Sequence, residues 1–260
     1  MLQHQAVRLA RRPPAYTRKH KFSWLLAAVA LPLCAQTNGA AGDDWGTNGG
    51  TYSAWRYSDL AQVNRGNVQK LAPAWVFQTG DYENGLQATP IVVDGILYLS
   101  TSNSWVFALD GATGRLLWEY RFPLSKSVPL YGKQNRGVAV SRGRVFLGTA
   151  DNHLVALDRT TGQEVWRVNV EDSRQCGCNI TGAPLVVKDM VIAGVTGGDS
   201  AHRGYLTAFD AANGRLRWRF HTIPGPGEKG HETWPGESWR YGGGATWMTG
   251  SFDPDLNLLY

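Results

Sequence analysis

The stretch that decides the fold is "LVALDRTTGQEVWRVNV", residues 154–170, because the chain contains it three times in slightly different forms. The other two copies are "VFALDGATGRLLWEYRF", residues 106–122, and "LTAFDAANGRLRWRFHT", residues 206–222. In each copy a glycine follows an aspartate by four residues, and a tryptophan follows the glycine by four. These triplets are Asp110, Gly114 and Trp118; Asp158, Gly162 and Trp166; and Asp210, Gly214 and Trp218. The periods of 48 and 52 residues are typical of repeat architectures.

Two alternating runs precede each copy, and each pair of runs is interrupted by turn residues. The pairs are "PIVVDGILYLS" (residues 90–100), "GVAVSRGRVFLGT" (residues 137–149) and "APLVVKDMVIAGV" (residues 183–195). β-Branched residues on both sides of a two-residue turn predict a β-hairpin. Each repeat is therefore predicted to hold four strands, the last of them ending in the tryptophan.

Four antiparallel strands in each period predict blades of a β-propeller, an all-β fold. The aspartate and glycine supply the last turn, and the tryptophan on the outer strand can wedge between neighbouring blades. An earlier segment, "NRGNVQKLAPAWVFQTG" (residues 64–80), ends near Trp75 and is interpreted as the outer strand of an incomplete first blade.

The charge of the chain argues against a nucleic-acid partner. The net charge is +5, but residues 1–41 contain six basic residues and no acidic ones, so the rest carries 20 basic and 21 acidic groups. A basic surface for nucleic acid is thus not indicated.

Residues 1–41 have the pattern of a signal peptide. A basic start is followed by the apolar run "FSWLLAAVALPLC" (residues 22–34) and by small residues up to Ala41, where cleavage is expected. The apolar run is short for a bilayer span, although a retained anchor stays open as an alternative. We therefore expect a periplasmic protein with no membrane span in its mature chain, whose propeller occupies residues 42–260.

Five further stretches carry a family resemblance. They are "DDWGTNGGTYSAWRYSDLAQVNRGNVQKLAPAW" (residues 43–75), "NRGVAV" (135–140), "TGAPLVV" (181–187), "GGDSAHRGYLTAFD" (197–210) and "WPGESWRYGGGATW" (234–247). In this order, and with the repeated tryptophan motif, the chain resembles the N-terminal half of the quinoprotein alcohol dehydrogenases, which use pyrroloquinoline quinone (PQQ). The resemblance implies about half of an eight-bladed propeller.

The resemblance also implies a cofactor site. Arg136 corresponds to an arginine that approaches the quinone oxygens, Thr181, Gly197 and Gly198 to contacts of the PQQ carboxylates, and Trp247 to the indole beneath the cofactor plane. Asp199 stands where the family has a glutamate that binds both PQQ and Ca²⁺, and carboxylate oxygen suits that hard cation. Gln87 stands where a glutamate is common, and its amide can still form a hydrogen bond.

Other positions depart from the family pattern. Leu130-Tyr131 occupies the place of two adjacent cysteines that form a disulfide ring in relatives. The family places its second metal ligand and its catalytic aspartate beyond the position of Tyr260, so no catalytic residue is assigned here. A half-propeller with open sheet faces is expected to fold poorly or to pair with itself.

Cys176 and Cys178 are the cysteines left after the expected cleavage. An oxidising compartment favours a disulfide between them, in a small ring beside the cofactor pocket. A zinc or copper site is the less favoured alternative, because His153 and His202 both lie more than twenty residues away along the chain.

Two classes of function follow from these observations. The first is part of a PQQ- and Ca²⁺-dependent dehydrogenase that oxidises a primary alcohol to an aldehyde, with a lanthanide as an alternative metal. A cytochrome c or a quinone is the expected electron acceptor, since the sequence has no C-x-x-C-H haem motif. The second is a propeller scaffold, or a degenerate truncated relative, without catalysis.

Overall fold

The computed structural model describes residues 44–125 and 134–260, together with the backbone of Val7–Arg8. Apart from that backbone, the predicted signal peptide lies outside the described residues, and so does Leu130-Tyr131. None of the helices that the structure describes has the length and apolar composition needed to cross a membrane.

Three antiparallel four-stranded sheets form the body of the described chain, each built from strands consecutive in sequence. We number them blade 1, blade 2 and blade 3. Blade 1 contains β2 (Ile91–Val93), β3 (Ile96–Ser100), β4 (Trp105–Asp110) and β5 (Leu116–Arg121). Blade 2 contains β6 (Ala139–Ser141), β7 (Arg144–Gly148), β8 (His153–Asp158) and β9 (Glu164–Asn169). Blade 3 contains β10 (Leu185–Val187), β11 (Met190–Gly194), β12 (Tyr205–Asp210) and β13 (Leu216–His221). The prediction of four-stranded propeller blades is confirmed.

A fourth, smaller sheet joins distant parts of the chain. It contains β1 (Val7–Arg8), β14 (Phe252–Asp253) and β15 (Leu258–Leu259), in the order β1, β15, β14. The helical segments are single turns: α1 (Ser173–Cys176) and the 3₁₀ turns Val68–Lys70, Gly198–Ser200, His231–Thr233 and Ser238–Arg240.

The middle strands of a blade are apolar on both faces because each face packs on a different neighbour. In β7, Val145 and Leu147 belong to the core shared with blade 1, whereas Phe146 belongs to the core shared with blade 3. Successive residues of a strand point to opposite faces, so a blade in the middle of the stack needs continuous apolar runs. This explains "VFLG" and "LVAL" in blade 2.

The tryptophans fasten each blade to the next, as predicted. Trp118 of blade 1 donates its indole N–H to the carbonyl of Arg159 (2.9 Å), and its ring covers Gly162, where a Cβ atom would lie 2.6 Å from the ring. Glycine is therefore required both by its φ of +72° and by this contact. Trp75 likewise donates its indole N–H to the Gly111 carbonyl, and its ring covers Gly114. Trp166 donates to the Ala211 carbonyl, and its ring covers Gly214.

Two details of the predicted repeat are wrong. The outer strand does not end at its tryptophan: β5 continues from Trp118 to Arg121. Residues 71–79 around Trp75 form no strand, because no described strand pairs with them, although Trp75 still docks on blade 1. Side-chain docking is therefore independent of strand pairing at this position.

The segment after residue 44 crosses the inner strands of successive blades. Trp45 exchanges backbone hydrogen bonds with Val92 in β2, and the Tyr52 hydroxyl donates to the carbonyl of Val186 in β10 (2.9 Å). Between them, the Asn48 amide donates to the carbonyl of Arg136 (3.0 Å). The crossing segment thus ties together the ends of the inner strands, where the candidate site lies.

Candidate cofactor site

The candidate site is built where the chain enters the inner strands of neighbouring blades. The Thr89 N–H donates to the Arg136 carbonyl (3.1 Å), and the Arg136 N–H donates to the Thr181 carbonyl (3.0 Å). The next residue, Gly182, lies against the backbone of Trp247, since a Cβ atom there would lie 2.6 Å from the carbonyl oxygen of Trp247. Three of the predicted residues, Arg136, Thr181 and Trp247, therefore lie together.

Arg136 lies over the face of Trp247, with its guanidinium carbon 4.7 Å from the ring centroid. One guanidinium nitrogen also donates to the Thr181 carbonyl at 3.4 Å. Within residues 44–125 and 134–260, no carboxylate lies within salt-bridge distance of this cation. Burial lowers the pKa of Arg136. A partly desolvated cation without an anionic partner favours an anionic ligand.

Thr181 presents a second group that lacks a partner. The residue is only 2% exposed, yet its Oγ1 has no hydrogen-bond partner among the described residues. Buried hydroxyl groups normally form hydrogen bonds, so an orphaned one indicates a missing donor or acceptor. Its position beside Arg136 places this free polar atom in the same site.

Trp247 keeps a large part of its ring accessible, since the residue is 42% exposed. Its neighbours fix its backbone: Thr246 donates its N–H to the Val195 carbonyl (3.0 Å), and Thr249 donates its hydroxyl to the Ala183 carbonyl (2.8 Å). The indole is thus a rigidly placed aromatic surface, suited to stacking on a planar group.

The predicted glycine pair lies in the connection between β11 and β12. Gly197 has a φ of +97° and precedes the 3₁₀ turn Gly198–Ser200. A Cβ atom at Gly198 would lie 2.9 Å from Cβ of Ala245, and the Gly243 N–H donates to the Gly198 carbonyl (3.3 Å). The pair therefore abuts the segment that leads into Trp247.

Asp199 and Gln87 are both exposed. Asp199 lies within the 3₁₀ turn, so its carboxylate extends from the same connection as the glycine pair. Gln87 is two residues before Thr89, whose N–H bonds to Arg136. Neither side chain forms a hydrogen bond or an ion pair with Arg136 or Trp247 among the described residues.

The predicted disulfide is confirmed: Cys176 and Cys178 are joined at the end of α1. Gly177 between them is in the left-handed conformation (φ +59°), a common end for a helical turn. The disulfide also adjoins the glycine pair, because a Cβ atom at Gly197 would lie 2.9 Å from Cβ of Cys178. It therefore lies beside the candidate site, as expected.

Residue spacing did not predict where His202 lies. Spacing along the chain separated the cysteines from any histidine, but the fold brings His202 back to them, with its ligand nitrogen within 4.8 Å of both sulfur positions. Asn152, from the turn between β7 and β8, was also missed, and its side-chain amide donates to both sulfurs. The connection between β11 and β12 creates this proximity, which cannot be inferred from the distance between these residues along the sequence.

Comparisons with known proteins give matches over most of the chain. Residues 45–260 match the family model described as the β-propeller domain of PQQ glucose/ethanol/alcohol dehydrogenases. The quinohemoprotein alcohol dehydrogenase ADH-IIG of Pseudomonas putida is 40% identical over 90% of this chain and 35% of its own length. The cytochrome c methanol dehydrogenase subunit 1 of Methylorubrum extorquens is 36% identical over 90% of this chain and 44% of its own.

A solved structure has a similar fold. The quinohemoprotein alcohol dehydrogenase of Comamonas testosteroni superposes with a TM-score of 0.80 and 40% identity, covering 86% of this chain and 35% of the other. The present chain thus spans 35–44% of the length of these three relatives.

Proposed function

Because the chain belongs to the family of PQQ-dependent glucose, ethanol and alcohol dehydrogenases, we propose that it is the N-terminal part of a PQQ-dependent alcohol dehydrogenase. The substrate is a small primary alcohol, which is oxidised to an aldehyde. We assign no catalytic base to the described residues.

The described residues fit the cofactor. PQQ is a planar, anionic quinone that accepts the electrons of the alcohol, and it needs an aromatic support, cations and polar donors. Trp247 offers the exposed ring, Arg136 the cation and Thr181 the free hydroxyl. In the proposal Gly197 and Gly198 let the backbone approach a carboxylate closely, and Gln87 adds an amide.

Asp199 is proposed to hold the metal ion. Its carboxylate is exposed at the edge of the site, and oxygen ligands suit Ca²⁺. One carboxylate is not a complete calcium site, so further ligands must come from elsewhere. A bound divalent cation would polarise the quinone carbonyl beside it. A lanthanide, which has the same preference for oxygen ligands, is the alternative metal.

The observation that carries the proposal is the unpaired guanidinium of Arg136 over Trp247. A structural arginine is normally paired with a carboxylate or solvated, whereas this one is partly desolvated against an aromatic ring and a single carbonyl. An anionic planar ligand would satisfy both side chains at once, since guanidinium binds carboxylate and the indole face stacks on a flat ring.

A longer propeller would complete this chain. The indole N–H of Trp218, equivalent to those that bind carbonyls in the next blade, is buried without a partner among the described residues. Large apolar side chains are also exposed over residues 55–86, including Trp55 (78%), Val76 (80%) and Tyr82 (78%). Both features are what a surface for further blades requires.

The remaining parts of the proposal concern the cellular setting. We propose a periplasmic location after removal of residues 1–41, and electron transfer to a cytochrome c or a quinone. The name of the methanol dehydrogenase relative includes cytochrome c, which supports the first acceptor.

The proposal is tested by equilibrium dialysis of PQQ against the full chain with Ca²⁺ present. Arg136→Gln should raise the dissociation constant for PQQ at least about tenfold, because a charge-assisted hydrogen bond is worth about 1.5–3 kcal/mol. The matched control is Arg142→Gln: Arg142 is exposed and donates to the Lys188 carbonyl, so its loss should change PQQ binding by less than about twofold.

Equal PQQ binding by wild type and Arg136→Gln would refute the assigned site. In the whole protein, dye-linked oxidation of a primary alcohol should depend on added PQQ and Ca²⁺. Tight PQQ binding without any alcohol oxidation would instead identify a non-catalytic scaffold.

A further inference from the structure

We propose that Cys176, Cys178 and His202 form a second metal site, which binds a thiophilic d¹⁰ cation such as Zn²⁺ when the disulfide is reduced. This site is separate from the oxygen-ligand site proposed at Asp199, and it does not depend on the proposed function. Sulfur and imidazole ligands select soft or borderline cations, whereas Ca²⁺ takes oxygen ligands.

The first support is geometric. One ligand atom from each of the three residues lies within 4.8 Å of the other two. Around a tetrahedral Zn²⁺, with bonds of about 2.0–2.3 Å, ligand atoms are about 3.3–3.8 Å apart. Small side-chain rotations therefore suffice to close the site once the two sulfurs are free to separate.

The second support is Asn152, which comes from a different blade. The residue is fully buried, and its Nδ2 donates to the sulfurs of Cys178 (3.0 Å) and Cys176 (3.4 Å). Its Oδ1 is buried without a partner among the described residues. The amide can thus stabilise a negatively charged sulfur through its N–H groups, or provide a fourth, oxygen ligand after rotation.

The third support is the state of His202. Its Nε2 is buried and has no hydrogen-bond partner among the described residues. An imidazole nitrogen without a hydrogen-bond partner is available as a metal ligand. The backbone N–H of His202 donates to the Gly197 carbonyl (3.2 Å), which holds the residue near the cysteines.

The backbone adds a further donor to sulfur. The N–H of Cys178 points at Sγ of Cys176 (3.1 Å). Three N–H contacts therefore already face the two sulfurs. Donors of this kind surround sulfur that carries negative charge, and they orient the ligands of a metal before it binds.

The proposed change is a balanced redox step. A dithiol or phosphine reductant supplies two electrons and the disulfide takes up two protons, so that the S–S bond breaks and two thiols form, while the reductant is oxidised. Zn²⁺ then displaces the two thiol protons and binds both sulfurs and the imidazole. The oxidised chain offers no thiolate and should not bind Zn²⁺ at this site.

The test is an anaerobic titration of the full chain with Zn²⁺ against a chromophoric chelator, before and after phosphine reduction. We expect one equivalent of tightly bound Zn²⁺ in the reduced chain and none at this site in the oxidised chain. Co²⁺ used as a spectroscopic probe should show thiolate-to-metal charge-transfer absorption only after reduction. Equal Zn²⁺ binding by both forms, or no binding by the reduced form, would overturn the proposal.

Two histidine variants provide the matched comparison. His202 and His221 both pack edge-on against the ring of Tyr205, at 5.5 Å and 5.8 Å between centroids. His202→Gln should weaken Zn²⁺ binding by the reduced chain at least about tenfold, whereas His221→Gln should leave it unchanged. The same affinity in both variants would remove His202 from the site.

A second variant keeps the test valid if the His202 substitution disturbs folding. Asn152→Asp preserves the size of the side chain and places a charged oxygen beside the sulfurs. It should tighten Zn²⁺ binding by the reduced chain, because carboxylate is a better zinc ligand than amide. Unchanged affinity in a chain whose circular dichroism matches wild type would contradict the proposed position of the metal, whereas weaker affinity would show that Asn152 acts through its N–H donors to the sulfurs.

Discussion

Blade 2 and blade 3 have the same frame but differ in one connection. The chain passes from the second to the third strand through residues 149–152 in blade 2, a tight turn closed by the Asn152 N–H on the Thr149 carbonyl. In blade 3 the same passage takes residues 195–204 and includes a 3₁₀ turn. The longer connection holds Gly197, Gly198 and Asp199 of the candidate cofactor site, and also His202.

The difference shows where function is added to a repeat. Residues that recur in every blade, such as Asp158 and Gly162, form turns and dock tryptophans, so they serve the frame. Gly197, Gly198, Asp199 and His202 occur where one blade departs from the others, whereas Arg136 and Thr181 lie where the chain enters the inner strands. Connections between strands tolerate such insertions because their backbone is at the surface, whereas a strand insertion would shift the register.

The largest expected effect concerns the frame. Gly162→Ala should lower the free energy of unfolding by about 2–5 kcal/mol, because alanine at a φ of +72° is strained and its Cβ would lie 2.6 Å from the Trp118 ring. Urea unfolding followed by tryptophan fluorescence measures the change.

Gly143→Ala, in the same blade, is the matched control. Its φ is +71°, but no atom lies within 4 Å of the added Cβ. Only the backbone strain of about 1–2 kcal/mol should therefore remain. If both variants lose equal stability, contact with the tryptophan ring does not explain why all three copies of the motif have a glycine at this position.

An intermediate effect should separate a docked tryptophan from an undocked one. Trp166 donates its indole N–H to the Ala211 carbonyl (3.2 Å), whereas Trp218 has no acceptor among the described residues. Trp166→Phe leaves a carbonyl without its donor and should lower the free energy of unfolding by about 1–2 kcal/mol more than Trp218→Phe. The midpoints of urea unfolding of the two variants give this difference.

The opposite ranking would show that Trp218 is already satisfied in the chain as it stands. A second copy of the chain docked on blade 3 could provide that acceptor. Light scattering of both variants at the concentration of the unfolding experiment distinguishes the two cases, since only an intermolecular contact depends on protein concentration.

Most of the fold could be predicted from the sequence because the repeated motif gives its signal three times. The period, the turn residues and the alternating runs each predict the same blades, and they agree with one another. Segment 71–79 was misassigned because strand formation needs a neighbouring strand, and no local pattern reports whether one is available.

The candidate site was predictable only in part. Arg136, Thr181 and Trp247 lie more than forty residues apart in sequence, and the resemblance to a family, rather than any local pattern, placed them together. Asn152 and His202 escaped because their proximity to the cysteines depends on the packing of blade 2 against the longer connection of blade 3. Periodicity describes a blade, but it contains no information about contacts that only one pair of blades makes.

The smallest expected effect concerns the turn that opens with Asp158. Its Oδ1 accepts hydrogen bonds from the N–H and the hydroxyl of Thr161 and from the N–H of Thr160, which hold the pKa of Asp158 below its usual value of about 3.9. A lowered pKa stabilises the fold fully above that usual value, and the stabilisation is lost as the pH falls through the lower folded-state pKa. Thr161→Val removes the hydroxyl donor, so the pKa of Asp158 should rise and acid unfolding should begin at a higher pH.

Thr160→Val is the matched control, because Thr160 contributes only its backbone N–H, which valine retains. Carboxyl ¹³C NMR titration should therefore give a higher pKa for Asp158 in Thr161→Val than in Thr160→Val. An equal pKa in both variants would mean that the backbone N–H donors alone lower the pKa of Asp158.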